Sequence, residues 1–195
     1  MAISNLSTSS MVSGVKRRKI WDQLATTDGF FQIATTTLNV AASSITFSSI
    51  PQTYTHLQVR GIARAADATT DYNIHAQFNT DTANNYSYHY LYGTGTAADT
   101  GASASTPETL VGRITGASSS ANIFGITVID ILDYVNTNKF KTVRTLTGHD
   151  QNGSGSVWLM SSNWRSTSAI NSIKLYTAYG NFAANSSFAL YGIKG

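Results

Sequence analysis

Hydrophobic and polar positions alternate along most of the chain from Gly29 onward. The clearest run covers residues 72–79, where Tyr, Ile, Ala and Phe alternate with Asn, His and Gln. A second run covers residues 86–92, where four tyrosines alternate with Ser, His and Leu. A period of two places alternate side chains on opposite faces of a β-strand. The polar residues 79–85 lie between these runs and predict that the two strands form a hairpin.

The rest of the chain repeats this strand-and-turn pattern. Residues 122–135 also fit a helical spacing, but their branched side chains favour a strand, which we expect to pair with residues 140–146. Small and polar residues make up positions 93–105 and 149–156, which are predicted to be loops. Further strands are predicted at residues 31–35, 44–47, 57–64, 109–114, 157–160, 170–179 and 187–193. About ten short strands without intervening helices predict an all-β chain, an antiparallel β-sandwich of the jelly-roll type.

Composition agrees with strands and turns. Charged residues make up only 12% of the chain, and Glu108 is its single glutamate, whereas long exposed helices are usually rich in Lys and Glu. The chain has no cysteine, which excludes disulfides, a thiol nucleophile and thiolate metal sites. No stretch approaches the roughly 20 apolar residues that cross a bilayer, so no membrane partner is expected.

Residues 1–28 differ from the rest and are predicted to be an extended arm outside a β-sandwich domain at residues 29–195. Four of the 13 basic residues lie at positions 16–19, which leaves nine against ten acidic residues elsewhere. A nearly neutral body does not suit a nucleic-acid-binding domain. The cluster could bind an acidic protein surface, contact nucleic acid or remain solvated. We predict protein binding, because apolar residues follow it, and assign this contact to Lys16, Arg17, Arg18, Lys19, Ile20 and Trp21.

Several short segments resemble a recurring sequence pattern of virion proteins from tailed bacteriophages of the marine and cyanobacterial type. They are SSIPQTYTHLQVRGIAR at 48–64, FN at 78–79 with NYS at 85–87, DILDY at 130–134 with NKFKT at 138–142, and FALYGIK at 188–194. Together they span most of residues 29–195. The resemblance implies a β-sandwich on the surface of the particle, either on the head or associated with the tail. It transfers no catalytic residue.

This resemblance and the separate arm lead to two hypotheses. The first is a capsid decoration or cement protein, assembled in the host cytoplasm and carried in the virion. Its arm would bind the major capsid protein or another virion protein, and closed symmetry favours a homo-oligomer, with a trimer expected. The second is a tail-fibre or tail-associated protein that recognises glycans on the host surface.

The tyrosine stripe of Tyr86, Tyr88, Tyr90 and Tyr92 is a candidate contact surface. Tyrosine offers a large amphipathic area at low entropic cost, which favours interfaces. The stripe could contact another subunit, stack on a glycan or belong to the core of the sheet. These three interpretations cannot be separated by the pattern of the residues.

Candidate catalytic and metal-binding residues give little signal. Asp130 and Asp133 are three apart, so on a strand they face opposite sides. His75 and His89 would lie close together on the polar face of the predicted hairpin, without a carboxylate beside them. The Asn- and Asp-rich segments 79–85 and 150–154 resemble calcium loops but suit turns as well. No nucleophile elbow, P-loop or dinucleotide motif is present in the sequence, so we predict no enzyme, no cofactor and no metal.

Overall fold

The computed structural model describes residues 29–195, which form an antiparallel β-sandwich without a helix. The arm at residues 1–28 and its predicted contact residues lie outside the described residues. The strands are β1 (Phe30–Thr37), β2 (Ser44–Phe47), β3 (His56–Ala63), β4 (Asp71–Phe78), β5 (Tyr86–Gly93), β6 (Ala98–Thr106), β7 (Thr109–Thr115), β8 (Gly125–Ile131), β9 (Lys141–Asp150), β10 (Gly155–Trp164), β11 (Ile173–Thr177) and β12 (Ser187–Ile193). The predicted all-β sandwich is confirmed. Within residues 29–195, no helix is long and apolar enough to span a membrane.

The two sheets are unequal in size. The larger has eight strands in the order β1-β12-β3-β8-β9-β10-β5-β6, and the smaller has four in the order β2-β11-β4-β7. Neighbouring strands are antiparallel throughout both sheets. The alternation in β9 shows how sequence produces this architecture, because every second residue from Lys141 to His149 is buried and the residues between them face outward.

The main apolar core lies between the two sheets. It draws side chains from both layers, including Leu57 and Ile129 of the large sheet and Ile74 and Leu175 of the small one. All four are at most 2% exposed. Alternating strands of this kind bury one face each, and the two inner faces interdigitate to hold the layers together.

The predicted hairpin between residues 72–78 and 86–92 is wrong. The first segment is β4, which pairs with β7 and β11 in the small sheet, and the second is β5, which pairs with β6 and β10 in the large sheet. The polar segment between them therefore crosses from one layer to the other. The predicted proximity of His75 and His89 on one polar face is wrong for the same reason, because the two residues lie in different sheets.

Asp81 organises this crossing. Its carboxylate accepts hydrogen bonds from the Ala83 backbone N–H (2.9 Å), the Asn85 amide (3.0 Å) and Nε1 of Trp164 (2.7 Å). Burial alone would raise the pKa of the Asp81 carboxyl, but these three donors together outweigh it and hold that pKa below its usual value. The oxygens that resembled calcium ligands are thus used to shape a turn and to fix it to β10.

The prediction of a loop at residues 93–105 is also wrong, since most of it forms the edge strand β6. Its sequence consists of small residues because rings from β5 lie across it. A Cβ added at Gly101 would stand 2.3 Å from the Tyr90 ring, which covers this position. A strand whose face is covered by its neighbour's aromatic side chains needs no large residues of its own. The loop predicted at 149–156 shrinks to residues 151–154 between β9 and β10.

Removing the hydroxyl of Tyr86 is expected to destabilise the fold. This fully buried hydroxyl accepts a hydrogen bond from the Phe78 backbone N–H (3.0 Å) and donates one to the Asp81 carbonyl (3.1 Å). In a Tyr86→Phe variant the Phe78 N–H stays buried without a partner, which costs about 1–3 kcal/mol. Urea unfolding measures the difference in the free energy of unfolding.

Tyr88→Phe is the matched control, because Tyr88 lies on the same strand and face, and its hydroxyl makes no hydrogen bond within residues 29–195. Its effect should stay within about 0.5 kcal/mol. Equal losses in the two variants would show that the crossing does not depend on the Tyr86 hydroxyl.

Candidate binding surfaces

The outer face of the large sheet carries an exposed apolar patch, formed by Ile62, Leu91, Ile126, Leu146, Val157 and Leu159. Each of these side chains is between 47% and 62% exposed. Strand register makes them neighbours, since Leu91, Leu159 and Leu146 lie side by side across β5, β10 and β9. Val157 and Ile126 flank Gly148 in the next row, and Ile62 continues that row on β3. The patch is therefore contiguous.

A groove of about 670 Å³ lies within this patch. Gly148 forms part of its floor and has no side chain to fill the groove. A Cβ added at this position would stand only 2.7 Å from the Ser156 carbonyl oxygen. Apolar side chains of Phe124, Ile126 and Leu146 line its sides. The groove ends at the loop 151–154. Sequence reasoning missed the patch, although the apolar residues at the outward positions of β9 and β10 were a signal for it.

Polar side chains border the patch along the same face. Asp130 accepts hydrogen bonds from Gln58 Nε2 (2.7 Å) and from the Arg144 guanidinium (2.8 Å). Arg60 continues this network by donating to Gln58 Oε1 (2.7 Å). The outer face of the sheet is thus divided into an apolar part and a polar rim, which is the arrangement of many protein interfaces.

The tyrosine stripe lies on the inner face of β5. Tyr86 is fully buried and packs against Trp164, with ring centroids 6.3 Å apart. Tyr88, Tyr90 and Tyr92 are partly buried and pack against a second apolar cluster of Leu110, Trp158 and Met160. The stripe therefore contributes to the interior of its own chain along most of its length. A contact of the partly buried Tyr88, Tyr90 and Tyr92 with another subunit or a glycan stays a prediction.

A second, polar cleft opens at one end of the sandwich, where β4 and β7 face β9 and β10. It has a volume of about 460 Å³. Asp71 and Arg113 lie on neighbouring strands of one wall and form an ion pair (2.5 Å), and the Arg113 guanidinium also lies 5.2 Å from the centre of the Trp158 ring. His149 lines the cleft and is 9% exposed, and Nδ1 of its ring has no hydrogen-bond partner within residues 29–195.

Electrostatics keep the cleft close to neutral. Burial lowers the pKa of His149, and nearby Arg113 acts in the same direction, while Asp71 and Asp150 oppose it. The imidazole is therefore uncharged at neutral pH. The Asp71 carboxylate and the Arg113 guanidinium balance each other. A ligand that enters the cleft meets hydrogen-bonding groups and this paired carboxylate and guanidinium.

The remaining predicted residues lie apart from one another. Asp130 belongs to the polar rim, whereas Asp133 pairs with Lys139 and donates its backbone N–H to Nδ1 of His56 (2.9 Å), so the two carboxylates do not act together. Asp150 accepts hydrogen bonds from two backbone N–H groups of its own turn. Among residues 29–195, no group of three His, Asp or Glu side chains could hold a metal ion.

Comparisons with known proteins give no family for this chain. No protein-family model matches it. Searches of curated proteins and of solved structures found no match either. Its function is therefore inferred from its surfaces.

Protonation of His149 is expected to make the fold acid-sensitive. The unfolded chain takes up a proton as the pH falls through the ordinary histidine pKa of 6.5, whereas the buried ring resists protonation. The unfolded state then binds more protons, so the free energy of unfolding falls as the pH drops below 6.5. Burial lowers the pKa of His75 as well, which adds to the same trend.

Urea unfolding at several values between pH 7.5 and 5.5 tests this expectation. The His149→Gln variant should lose less stability over this interval than the wild-type chain, and a variant that also carries His75→Gln should lose less again. Parallel pH profiles for the wild-type chain and both variants would contradict it.

Proposed function

We propose that this chain is a structural protein of a bacteriophage particle, a capsid decoration or cement protein that acts through its surfaces and not through catalysis. The apolar patch is the observation that carries the proposal. The largest apolar patch on an ordinary monomer measures about 300–600 Å² and is often functional. Six large side chains, each about half exposed, give a patch on the order of 600 Å². The sequence resemblance to phage virion proteins supports the same role.

In this proposal the patch of one copy packs against the patch of a second copy of the same chain. Two patches of this size bury on the order of 1,200 Å² when they meet, which reaches the lower limit of specific interfaces. None of the six side chains carries a charge, so two copies meet without repulsion. The polar rim around Asp130 and Arg144 remains at the edge, where its groups keep water or pair across the interface.

The arm supplies the second contact of the proposal. Residue 29 leads directly into β1, an edge strand of the large sheet, so the arm starts at the border of the domain. The patch lies across β3, β8, β9, β10 and β5, away from that edge. The patch can therefore join copies while the basic residues at 16–19 reach the major capsid protein. In this proposal the binding site for the chain exists only on the assembled shell. Binding of the chain therefore shifts the assembly equilibrium toward the shell.

A lysine in the patch is expected to separate the copies. Leu159→Lys places a charge in the middle of the proposed interface, where burial without a partner is costly. Size-exclusion chromatography with light scattering should find an oligomer for the wild-type chain and a monomer for this variant. Thr142→Lys is the matched control, because Thr142 is an exposed residue on the same face of β9, outside the patch. A monomeric wild-type chain, or equal behaviour of both variants, would overturn the proposal for the patch.

The arm is tested in the full-length chain. Serine replaces Lys16, Arg17, Arg18 and Lys19 together, which removes four positive charges. This variant should keep the wild-type oligomeric state but lose binding to capsids stripped of the protein, measured by co-sedimentation and electron microscopy. Binding should also weaken with added salt, as expected for a charged contact. Unchanged binding to capsids would count against the arm, and binding confined to tails would favour the tail-associated alternative.

A further inference from the structure

The polar cleft has one aromatic wall. Tyr92 stacks on Trp158 with ring centroids 4.1 Å apart and planes inclined by 9°. Trp158 itself is only 7% exposed, and its Nε1 donates to the Ser156 hydroxyl (2.8 Å). A ligand therefore meets chiefly the half-buried Tyr92 ring, which the packing of Trp158 holds in place. Such a wall is already ordered before a ligand arrives.

The other walls consist of hydrogen-bonding groups of both kinds. Arg113 is held by Asp71 and by the Asn73 side-chain oxygen (2.6 Å), so its position is fixed. Each hydroxyl or amide among the lining residues can donate and accept. These residues are Thr70, Tyr92, Thr94, Gln151, Ser154 and Ser156.

The charge balance selects among ligand classes. A phosphate or sulfate would need an unpaired cation, whereas the Arg113 guanidinium already pairs with Asp71. An organic cation binds best where an unpaired carboxylate lies beside an aromatic face, and the Asp71 carboxylate in this cleft is already paired with Arg113. A neutral ligand with several hydroxyl groups matches both the donors and the acceptors. The volume lies within the usual range for small-molecule sites.

We propose that this cleft binds a neutral, hydroxyl-rich ligand, one or two sugar units of a glycan, against the Tyr92 ring and the 151–154 turn. Asp71 accepts a sugar hydroxyl through its second carboxylate oxygen, and Gln151 and Ser154 close over the ligand from the turn. This function goes beyond the assembly role, and its site adjoins the patch at the loop 151–154. The glycan contact then lies at one end of the tyrosine stripe instead of along its whole length.

Nuclear magnetic resonance titration of the full-length, isotope-labelled chain tests the proposal. The probes are free neutral sugars, namely glucose, galactose, mannose, N-acetylglucosamine, maltose and lactose, each added to about 50 mM to detect millimolar dissociation constants. At least one sugar should give saturable shifts at residues 92–94 and 149–156. Sodium sulfate and sodium phosphate, at constant ionic strength, should give none there. The proposal fails if no sugar saturates, if the shifts fall on the outer face, or if an anion saturates the cleft.

Three variants connect the binding to the cleft. Tyr92→Leu removes the ring and should weaken binding at least tenfold, and Gln151→Ala should weaken it severalfold. Tyr92→Phe keeps the stacking on Trp158 and removes only a hydroxyl, so it remains informative if the leucine variant does not fold. It should weaken binding severalfold with an unchanged thermal unfolding midpoint. His89→Ala, an exposed residue of the same strand on the opposite face, is the control and should bind as the wild-type chain does.

Equal binding by the wild-type chain and all the cleft variants would overturn the assignment. Light scattering on the same samples reports the oligomeric state separately. A failure of sugar binding is thereby distinguished from a failure of the proposed assembly role.

Discussion

A sheet of eight strands packs against a sheet of only four, and this mismatch in size shapes the core, the edge strand and the cleft. The small sheet cannot cover the whole inner face of the large one, so the strands beyond its edge must be covered in another way. Tyr88, Tyr90 and Tyr92 do this together with Trp158 and Leu110 of β7. Large rings fill the volume that an additional strand would have occupied, and β6 can then be built from small residues. The polar cleft opens at the end of this same region, where the packing of the two layers stops.

The outer face of the large sheet has a different character, because nothing in the described chain packs on it. A solvated sheet face is normally polar, as the region around Asp130 and Arg144 is. The adjoining patch keeps six large apolar side chains half exposed, which favours association over solubility. Patch and cleft meet at the loop 151–154, which lines both the outer groove and the cleft. A partner on the patch and a ligand in the cleft would therefore touch the same turn from two sides.

Buried polar groups fix the geometry that apolar packing alone would leave loose. Asp81 joins a turn to Trp164, and Tyr86 joins it to β4. Lys141 is fully buried and directs its ammonium group to the backbone carbonyls of Asn136, Lys139 and Thr167. Burial lowers the pKa of this lysine, and the carbonyl oxygens compensate by accepting hydrogen bonds from its ammonium group. Such contacts are costly to break, because each would leave a buried group without a partner.

Period-two alternation and short turns are local properties, so the amino-acid order was enough to predict the all-β class, the position of most strands and the pairing of β8 with β9. Which strands share a sheet depends instead on long-range packing. Residues 72–78 and 86–92 look like a hairpin, but Asp81 and Trp164 turn the chain into the other layer, and Trp164 is 83 residues away from Asp81. The strand character of β6 and the cleft were equally hidden, and the outer patch showed only as apolar residues at the outward positions of β9 and β10. Each depends on side chains that are distant in the sequence and become neighbours only through strand order, which no local pattern encodes.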